Sequence, residues 1–477
     1  MNAETLVWGL ALLITAALVV PYAFAFRRRR HADRARKEEA VRLGIDRPLA
    51  QYPFIDAKRC IGCGACVDAC PEGDVLGVVG GTATVVNGLR CVGHGRCEMA
   101  CPVGAIQVGL GDLKARQDIP LMDGWQESTV PGLFITGELA GLALVKNAVA
   151  QSRKVIDRVA QLAPASRRAG GGDALDLLVV GAGPAGLAAA GAAHERGLSL
   201  AVLEQEGDLG GALFHYPRRK MVLVQPVDLP LIGRMKEAEY AKDNILAVFK
   251  EMCRVGRLDV RFRERVGGIE KSGRLFSVRS SSGVTAARFV VLALGRRGSP
   301  RKLGIPGEEL PKVMYQLMDA ESYQSQRLLI VGGGDSAAEA AIGLARQPGN
   351  RVTLSYRREK LVRIKKRNED QISELLAQGR IEGLFNSEVE EIQSGAVRLR
   401  TPEGTRTIPN DYVFVFAGGE PPFALLRQMG VRFGGDPSEQ SLHAFLFPPP
   451  APETVGAVGG AFTPAAPRPR ANSSVSR

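Results

Sequence analysis

The chain has 477 residues, 45% hydrophobic and 23% charged, which excludes a disordered protein or a single small core and predicts two to four folded units. Its net charge is +12, but the excess sits in an N-terminal run and in residues 351–367. There is no aromatic-interleaved basic patch and no zinc-finger spacing, which excludes nucleic-acid binding as the expected role.

Leu6 to Phe26 is an uncharged apolar stretch of 21 residues, long enough to cross a bilayer as a helix, with Pro21 as a candidate kink. Arg27, Arg28, Arg29 and Arg30 follow it, and only Glu4 is charged before it, the inverse of a cleavable signal peptide. The asymmetry predicts a single-pass anchor in the cell membrane, N-terminus outside and body in the cytoplasm. Residues 31–50 read as a charged helical spacer.

Seven of the eight cysteines fall between Cys60 and Cys101, a metal framework rather than scattered disulfides. Cys60, Cys63, Cys66 and Cys70, followed by Pro71, have the C-x2-C-x2-C-x3-C-P spacing of iron–sulfur ligands. Cys91, His94, Cys97 and Cys101 repeat it with histidine at the second offset. The block resembles two-cluster bacterial ferredoxin domains, which implies a small α+β fold that transfers electrons. Reciprocal ligation in such folds assigns Cys60, Cys63, Cys66 and Cys101 to a first, [4Fe–4S] cluster. Cys70, Cys91 and Cys97 go to a second, with His94 as its uncertain fourth ligand. Three readings of that second site stay open: a His-ligated [4Fe–4S] cluster, a three-cysteine [3Fe–4S] cluster with His94 nearby, or a degenerate site. Ligation by a neutral imidazole removes one negative charge and raises the reduction potential.

Residues 130–160 read as a turn, a short strand, Gly137 and Glu138, then a helix from about Leu142 to Ala160. This segment resembles the closing flavin motif of thioredoxin reductase-like flavoproteins, with Glu138 where aspartate is usual. The resemblance implies that Gly137 and Glu138 contact the flavin from upstream, in a circularly permuted flavin domain. Residues 161–174 read as a flexible linker.

Leu177 to Ala190 reads as strand, glycine turn and helix. Gly181 makes the turn, Gly183 admits a pyrophosphate and Gly186 allows close packing. Glu204, 18 residues after Gly186, is the expected partner of the FAD ribose. Gly332, Gly334 and Ala337 form a second such turn after another buried strand. Arg357 and Arg358 stand at the end of the next strand, where an NAD site would place an acid. A guanidinium pair there suits a 2′-phosphate and predicts NADPH over NADH. From about Leu175 to Val431 the chain resembles thioredoxin reductase-like flavoproteins, and the segment containing YPRRKM is closest to the bacillithiol-disulfide-reductase-like branch. No C-x-x-C or C-x4-C pair follows Cys101. A dithiol relay is therefore not expected, and Cys253 reads as a buried apolar residue.

The expected fold class is α/β: two Rossmann-like domains, for FAD and NAD(P), a small α+β ferredoxin domain and one N-terminal transmembrane helix. The expected organisation is an anchor (1–26), a basic linker (27–50), a two-cluster domain (51–112) and a closing flavin segment (113–160). After the linker (161–174) come a flavin domain (175–310), an NAD(P) domain (311–405), a return to the flavin domain (406–445) and a disordered tail (446–477). The expected activity passes electrons between NADPH and a one-electron acceptor, a redox protein or a quinone, in a direction that stays open. An electron-delivery subunit and a flavin-binding sensor without turnover are the alternatives. A homodimer is compatible with all three.

Overall fold

The computed structural model describes residues 3–46, 52–109, 118–141, 144–170, 172–217, 220–296 and 298–434. Met1–Asp436 forms one compact unit; the other, Pro437–Arg477, lies outside the described residues, and the expected disordered tail lies with it.

Helix α1 (Ala3–Leu43) runs unbroken through Pro21 and the arginine run. Its apolar window has a mean hydropathy of 2.2, and none of that window is buried. Its second half and the turn after it correct the reading of residues 27–50 as a linker, because Asp33 and Ala40 on the helix and Ile45 beyond it are buried. Asp33 Oδ2 accepts the Val78 N–H at 2.7 Å, and Lys37 Nζ donates to the Val85 carbonyl at 2.8 Å. Arg42 pairs with Glu359 at 2.9 Å, and Glu39 pairs with Lys360. The charged arm reads as a helical spacer in the sequence because its partners lie far away along the chain.

The cysteine block is a small α+β unit. Strand β1 (Tyr52–Ile55) precedes α2 (Ala65–Asp68), the hairpin β2 (Leu76–Val79) and β3 (Thr82–Val85), α3 (Arg96–Met99) and β4 (Ile106–Gly109). The outer strands β1 and β4 pair antiparallel, so the two halves close on one another. Arg90, its side chain only 3% exposed, fastens this unit to the rest: it reaches Asp74 at 3.1 Å and Glu369 at 2.9 Å. Asn87 Nδ2 adds a hydrogen bond to the Val362 carbonyl at 3.2 Å. Arg90→Met removes the buried guanidinium that bridges Asp74 and Glu369, which leaves Asp74 to Arg36 and Glu369 to Lys366, and is expected to cost about 2 kcal/mol. Proteolysis between residues 102 and 120 at a lower temperature than in wild type is the check.

Strand β5 (Leu133–Ile135) and helix α4 (Val145–Arg168) come next, then β6 (Leu175–Val180), α5 (Pro184–Glu195) and β7 (Leu200–Glu204). Five strands lie parallel in the order Val260–Phe262, β7, β6, Gly283–Leu292, β5. Leu133 to Ile135 therefore occupy a place in the sheet beyond the strand Gly283–Leu292, which follows them by about 150 residues of chain. The apolar run Leu177 to Val180 is buried on both faces, as a central parallel strand requires. Helix α4 overruns its expected end and absorbs most of the expected linker, because Ala163 is buried and Arg167 pairs with Asp176.

A second parallel sheet is ordered Val313–Met314, Tyr412–Val415, Arg327–Val331, Arg351–Tyr356, Ile381–Phe385. Two expected boundaries move. Leu303, Ile305 and Leu310 pack into this second core, and so does Val413, so the crossings lie near residues 300 and 416 rather than 310 and 405. Leu426, Val431 and Phe433 then return to the first core, beside Ile119 and Met122.

Candidate nucleotide and iron–sulfur sites

At the first glycine turn, Gly181 has a left-handed backbone (φ 105°) and donates its N–H to the Leu203 carbonyl at 2.8 Å. A Cβ at Gly186 would overlap the Gly181 carbonyl oxygen, so α5 can start only where this residue is glycine. Gly183 caps α5 and Pro184 opens it, which leaves the first N–H groups of the helix facing outward. Glu204 is buried, and both its oxygens are engaged: Oε2 accepts the Ala182 N–H at 2.6 Å and Oε1 the Glu206 N–H at 3.0 Å. It therefore shapes the glycine turn, a task its spacing did not reveal.

The segment after β5 meets this turn directly. Gly137 (φ 75°) lies so near that a Cβ would stand 2.8 Å from the Ala185 Cβ. Its N–H donates to Gln151 Oε1 at 2.7 Å, and Ser152 Oγ donates to the Ala185 carbonyl at 2.8 Å. Gln151 and Ser152 belong to α4 and were missed in the sequence, where they look like polar positions on an amphipathic helix. Glu138 is exposed and faces the same cavity as Gly183 and Glu204. Thr136 Oγ1 and Gln225 Nε2 are buried without a hydrogen-bond partner among the described residues, and both residues line that cavity. Left-handed glycines, free helix N–H groups and orphaned polar atoms around one cleft fit a dinucleotide.

At the second turn, Gly332 (φ 145°) and Gly334 precede the helix Asp335–Ala345, with Ala337 fully buried beneath them. Asp335 Oδ1 accepts the Lys365 N–H at 2.9 Å and the Asn368 amide at 2.7 Å. Arg357 is exposed and Arg358 half-buried at the end of the strand Arg351–Tyr356. Neither is in the cavity wall, whereas Arg346, Lys365 and Arg367 are. Lys220 reaches across from the first domain to Glu339 at 2.6 Å.

The two cysteine runs have the same backbone. Gly62 and Gly64 have φ 64° and 81°, and Gly93 and Gly95 have φ 72° and 76°. His94 thus occupies in the second run the place of Cys63 in the first. A small cavity is lined by Cys70, Cys91, Cys97 and His94 together. Burial, then Arg96 and Lys365, push the His94 imidazole down to about 4, so it is neutral at pH 7, the form able to ligate. Its Nε2 also lies 3.4 Å from Glu72 Oε1. In the other set, the Ala83 N–H donates to Cys60 Sγ at 3.3 Å and the Ala105 N–H to Cys101 Sγ at 3.2 Å. Burial, and then the neighbouring Cys97 and Cys63, push the Cys66 thiol up to about 11. Among the described residues no three donors converge on a single-ion site, and a cubane needs its ligands spread more widely. The donor set fits iron–sulfur clusters. Cys253, half-buried on the helix Lys242–Gly256, is a packing residue whose thiol burial raises to about 11.

One cavity of about 2390 Å³ joins these sites. Its wall includes Gly137, Gly183 and Glu204 from the first nucleotide site and Gly334, Ala337 and Lys365 from the second. It also includes Glu72, His94 and Arg96 from the cysteine block. Cys60, Cys63, Cys66 and Cys101 are not in it.

A family model described as pyridine nucleotide-disulphide oxidoreductase matches residues 178–440, and one described as a 4Fe-4S dicluster domain matches residues 52–102. A ferredoxin–NADP reductase of Ignicoccus hospitalis is 30% identical over 269 residues, 54% of this chain and 82% of its own. A bacilliredoxin reductase of Bacillus subtilis is 28% identical over 261 residues, 54% of this chain and 80% of its own. Among solved structures, a bacillithiol disulfide reductase from Bacillus cereus aligns with a TM-score of 0.51 and 27% identity, covering 55% of this chain and 82% of that one.

Proposed function

The chain belongs to the pyridine nucleotide-disulphide oxidoreductase family and carries a 4Fe-4S dicluster domain, and from that premise we propose a membrane-anchored oxidoreductase that passes electrons between NADPH and a one-electron acceptor. When bound, FAD would exchange a hydride with the nicotinamide, and iron–sulfur clusters would carry electrons singly. The observation that carries this reading is the shared cavity: both glycine turns and the His94 end of the cysteine block open onto it. Each residue set then has a task. The N-terminus of α5 and Gly183 hold the FAD pyrophosphate. Glu204 fixes the turn and meets the ribose, and Gly137, Glu138 and α4 close the flavin from upstream. Gly332, Gly334 and Ala337 hold the second dinucleotide. Cys70, Cys91, Cys97 and His94 hold the cluster facing the flavin.

The upstream closure is supported by β5 pairing in the flavin sheet and by Gly137 and Ser152 touching Ala185. The strand and helix 133–168 also lie outside the family match, which begins at residue 178. Together they make a circularly permuted flavin domain. The exposed apolar half of α1 is the membrane anchor, with residues from 27 onward in the cytoplasm.

An anaerobic titration tests the whole path. NADPH is expected to bleach the flavin and then produce iron–sulfur EPR signals. Flavin reduction with silent clusters sinks the proposal. For the nucleotide, charged hydrogen bonds to a 2′-phosphate are worth about 1.5–3 kcal/mol each. Arg357→Ala with Arg358→Ala removes two such contacts and is therefore expected to lower kcat/KM for NADPH by roughly 150-fold or more and to leave NADH unchanged. Preference for NADH in the wild type would refute the assignment.

A further inference from the structure

The two cluster sites stand in very different surroundings. The Cys70, Cys91, Cys97 and His94 site faces the nucleotide cavity through Glu72, His94 and Arg96. The Cys60, Cys63, Cys66 and Cys101 site has no residue in that cavity, and Cys63 is exposed. Protruding apolar side chains flank its ligands: Ile61 is 63% exposed and Met99 73%.

The same site lies beside the start of the charged half of α1. Gly62, between Cys60 and Cys63, packs so tightly on the Gly81 carbonyl that a Cβ would overlap it. Arg30 Nη2 in turn stands 3.7 Å from the Cβ position of Gly81. Arg29 reaches Asp68, on α2 between Cys66 and Cys70, at 3.9 Å. Asp33 then fixes the helix to β2 through the Val78 N–H. The last residue of the apolar stretch is Phe26. At 1.5 Å per residue, Arg30 lies roughly 6 Å and Asp33 roughly 10 Å farther along the axis. The headgroup layer on each side of a bilayer is about 5–8 Å thick. A continuous helix clamped at Asp33 leaves no slack, so an anchored α1 sets the Cys60–Cys63 loop at headgroup depth.

We propose that the Cys60, Cys63, Cys66 and Cys101 end is the electron exit, held against the lipid headgroups, and that it delivers to a one-electron redox centre of an integral membrane protein. The proposal rests on the membrane-anchored electron-transfer reading and adds the order of the sites and the partner. Each NADPH supplies two electrons. Two successive single-electron departures reduce two acceptor centres and leave NADP⁺ and one proton. A protruding apolar cap suits a small, transient protein contact, whereas a quinone needs a cleft.

The test uses the full-length holoprotein in vesicles doped with a headgroup-anchored gadolinium chelate. Dithionite reduction gives both cluster signals whether or not NADPH can reach them, and the signal lost in Cys97→Ala identifies the second cluster. The first cluster's half-saturation power is expected to rise in the doped vesicles while the second's stays unchanged. An equal or larger rise for the second cluster, or none for either in protein that floats with the vesicles, overturns the proposal. Failure to float, or clusters reduced by dithionite but not by NADPH, instead breaks the reading beneath it and the proposal with it. A short Gly/Ser insertion after His31 keeps anchor and clusters but frees the exit from the bilayer. It is expected to abolish the first cluster's response and electron delivery to native membranes, while ferricyanide reduction stays at the wild-type rate. Native membranes stripped of quinone should still be reduced; loss of reduction restored by added quinone would overturn the choice of partner.

Discussion

Gly186→Ala is expected to yield protein that retains no flavin. The new Cβ would overlap the Gly181 carbonyl oxygen, a backbone atom that cannot swing aside. Helix α5 must therefore lift off the sheet, and overpacking of this kind costs about 3 kcal/mol or more, a large share of a typical stability of about 5–15 kcal/mol. The displaced helix also withdraws the N–H groups that face the pyrophosphate. Gly183→Ala separates the two effects. A Cβ there meets nothing nearer than the Gly211 Cα at 3.8 Å, so the apoprotein should fold and melt like wild type. The added methyl group instead occupies space where the pyrophosphate must approach. The ratio of flavin to protein absorbance, with a melting curve for each variant, checks both. Stoichiometric flavin and an unchanged melting temperature in Gly186→Ala would refute the role given to the turn.

Local signatures carried much of this site. The glycine turns at Gly181 and Gly332 and the two cysteine runs are spacing constraints within a few residues, and each folds as its spacing implies. The strand Leu133–Ile135 and the left-handed Gly137 after it likewise follow from a short contiguous pattern. What was not legible depends on docking between distant parts of the chain. The burial of Asp33 depends on the Val78 N–H, 45 residues away, and no periodicity in α1 announces it. The return of Val413 to the second core and of Phe433 to the first depends on partners distant in the chain, not on a local pattern. Likewise, the cysteine spacing separates the two cluster sites by their ligands but not by which of them faces the nucleotide cavity. Arg90 and Asn87 decide between them, because their contacts with Glu369 and Val362 turn the His94 end toward the nucleotide cavity. Glu204 shows the converse limit: spacing found the residue, but not the two backbone N–H groups it also holds.

Because the His94 end faces the cavity, the second cluster site is the point at which the path can be cut. Cys97→Ala is expected to leave NADPH-driven flavin bleaching at the wild-type rate and to reduce electron delivery beyond the flavin to background. The thiol is buried among Cys70 and Cys91, so no exposed side chain can take its place. The second cluster's EPR signal should vanish and the first cluster's should remain under dithionite. His94→Cys probes the same site in the opposite direction. His94 repeats the backbone setting of Cys63 and lines the small cavity with three thiols, so a cysteine there completes a four-thiolate set. Restoring the fourth thiolate adds one negative charge and should lower the second cluster's potential on the order of 100 mV. If the wild-type site is a [3Fe–4S] cluster, iron content should also rise in His94→Cys; if imidazole already ligates a fourth iron, only the potential should move. An unchanged potential and unchanged iron content together would show that His94 is not a ligand. The neutral imidazole 3.4 Å from Glu72 would then be a structural pair at the cavity wall.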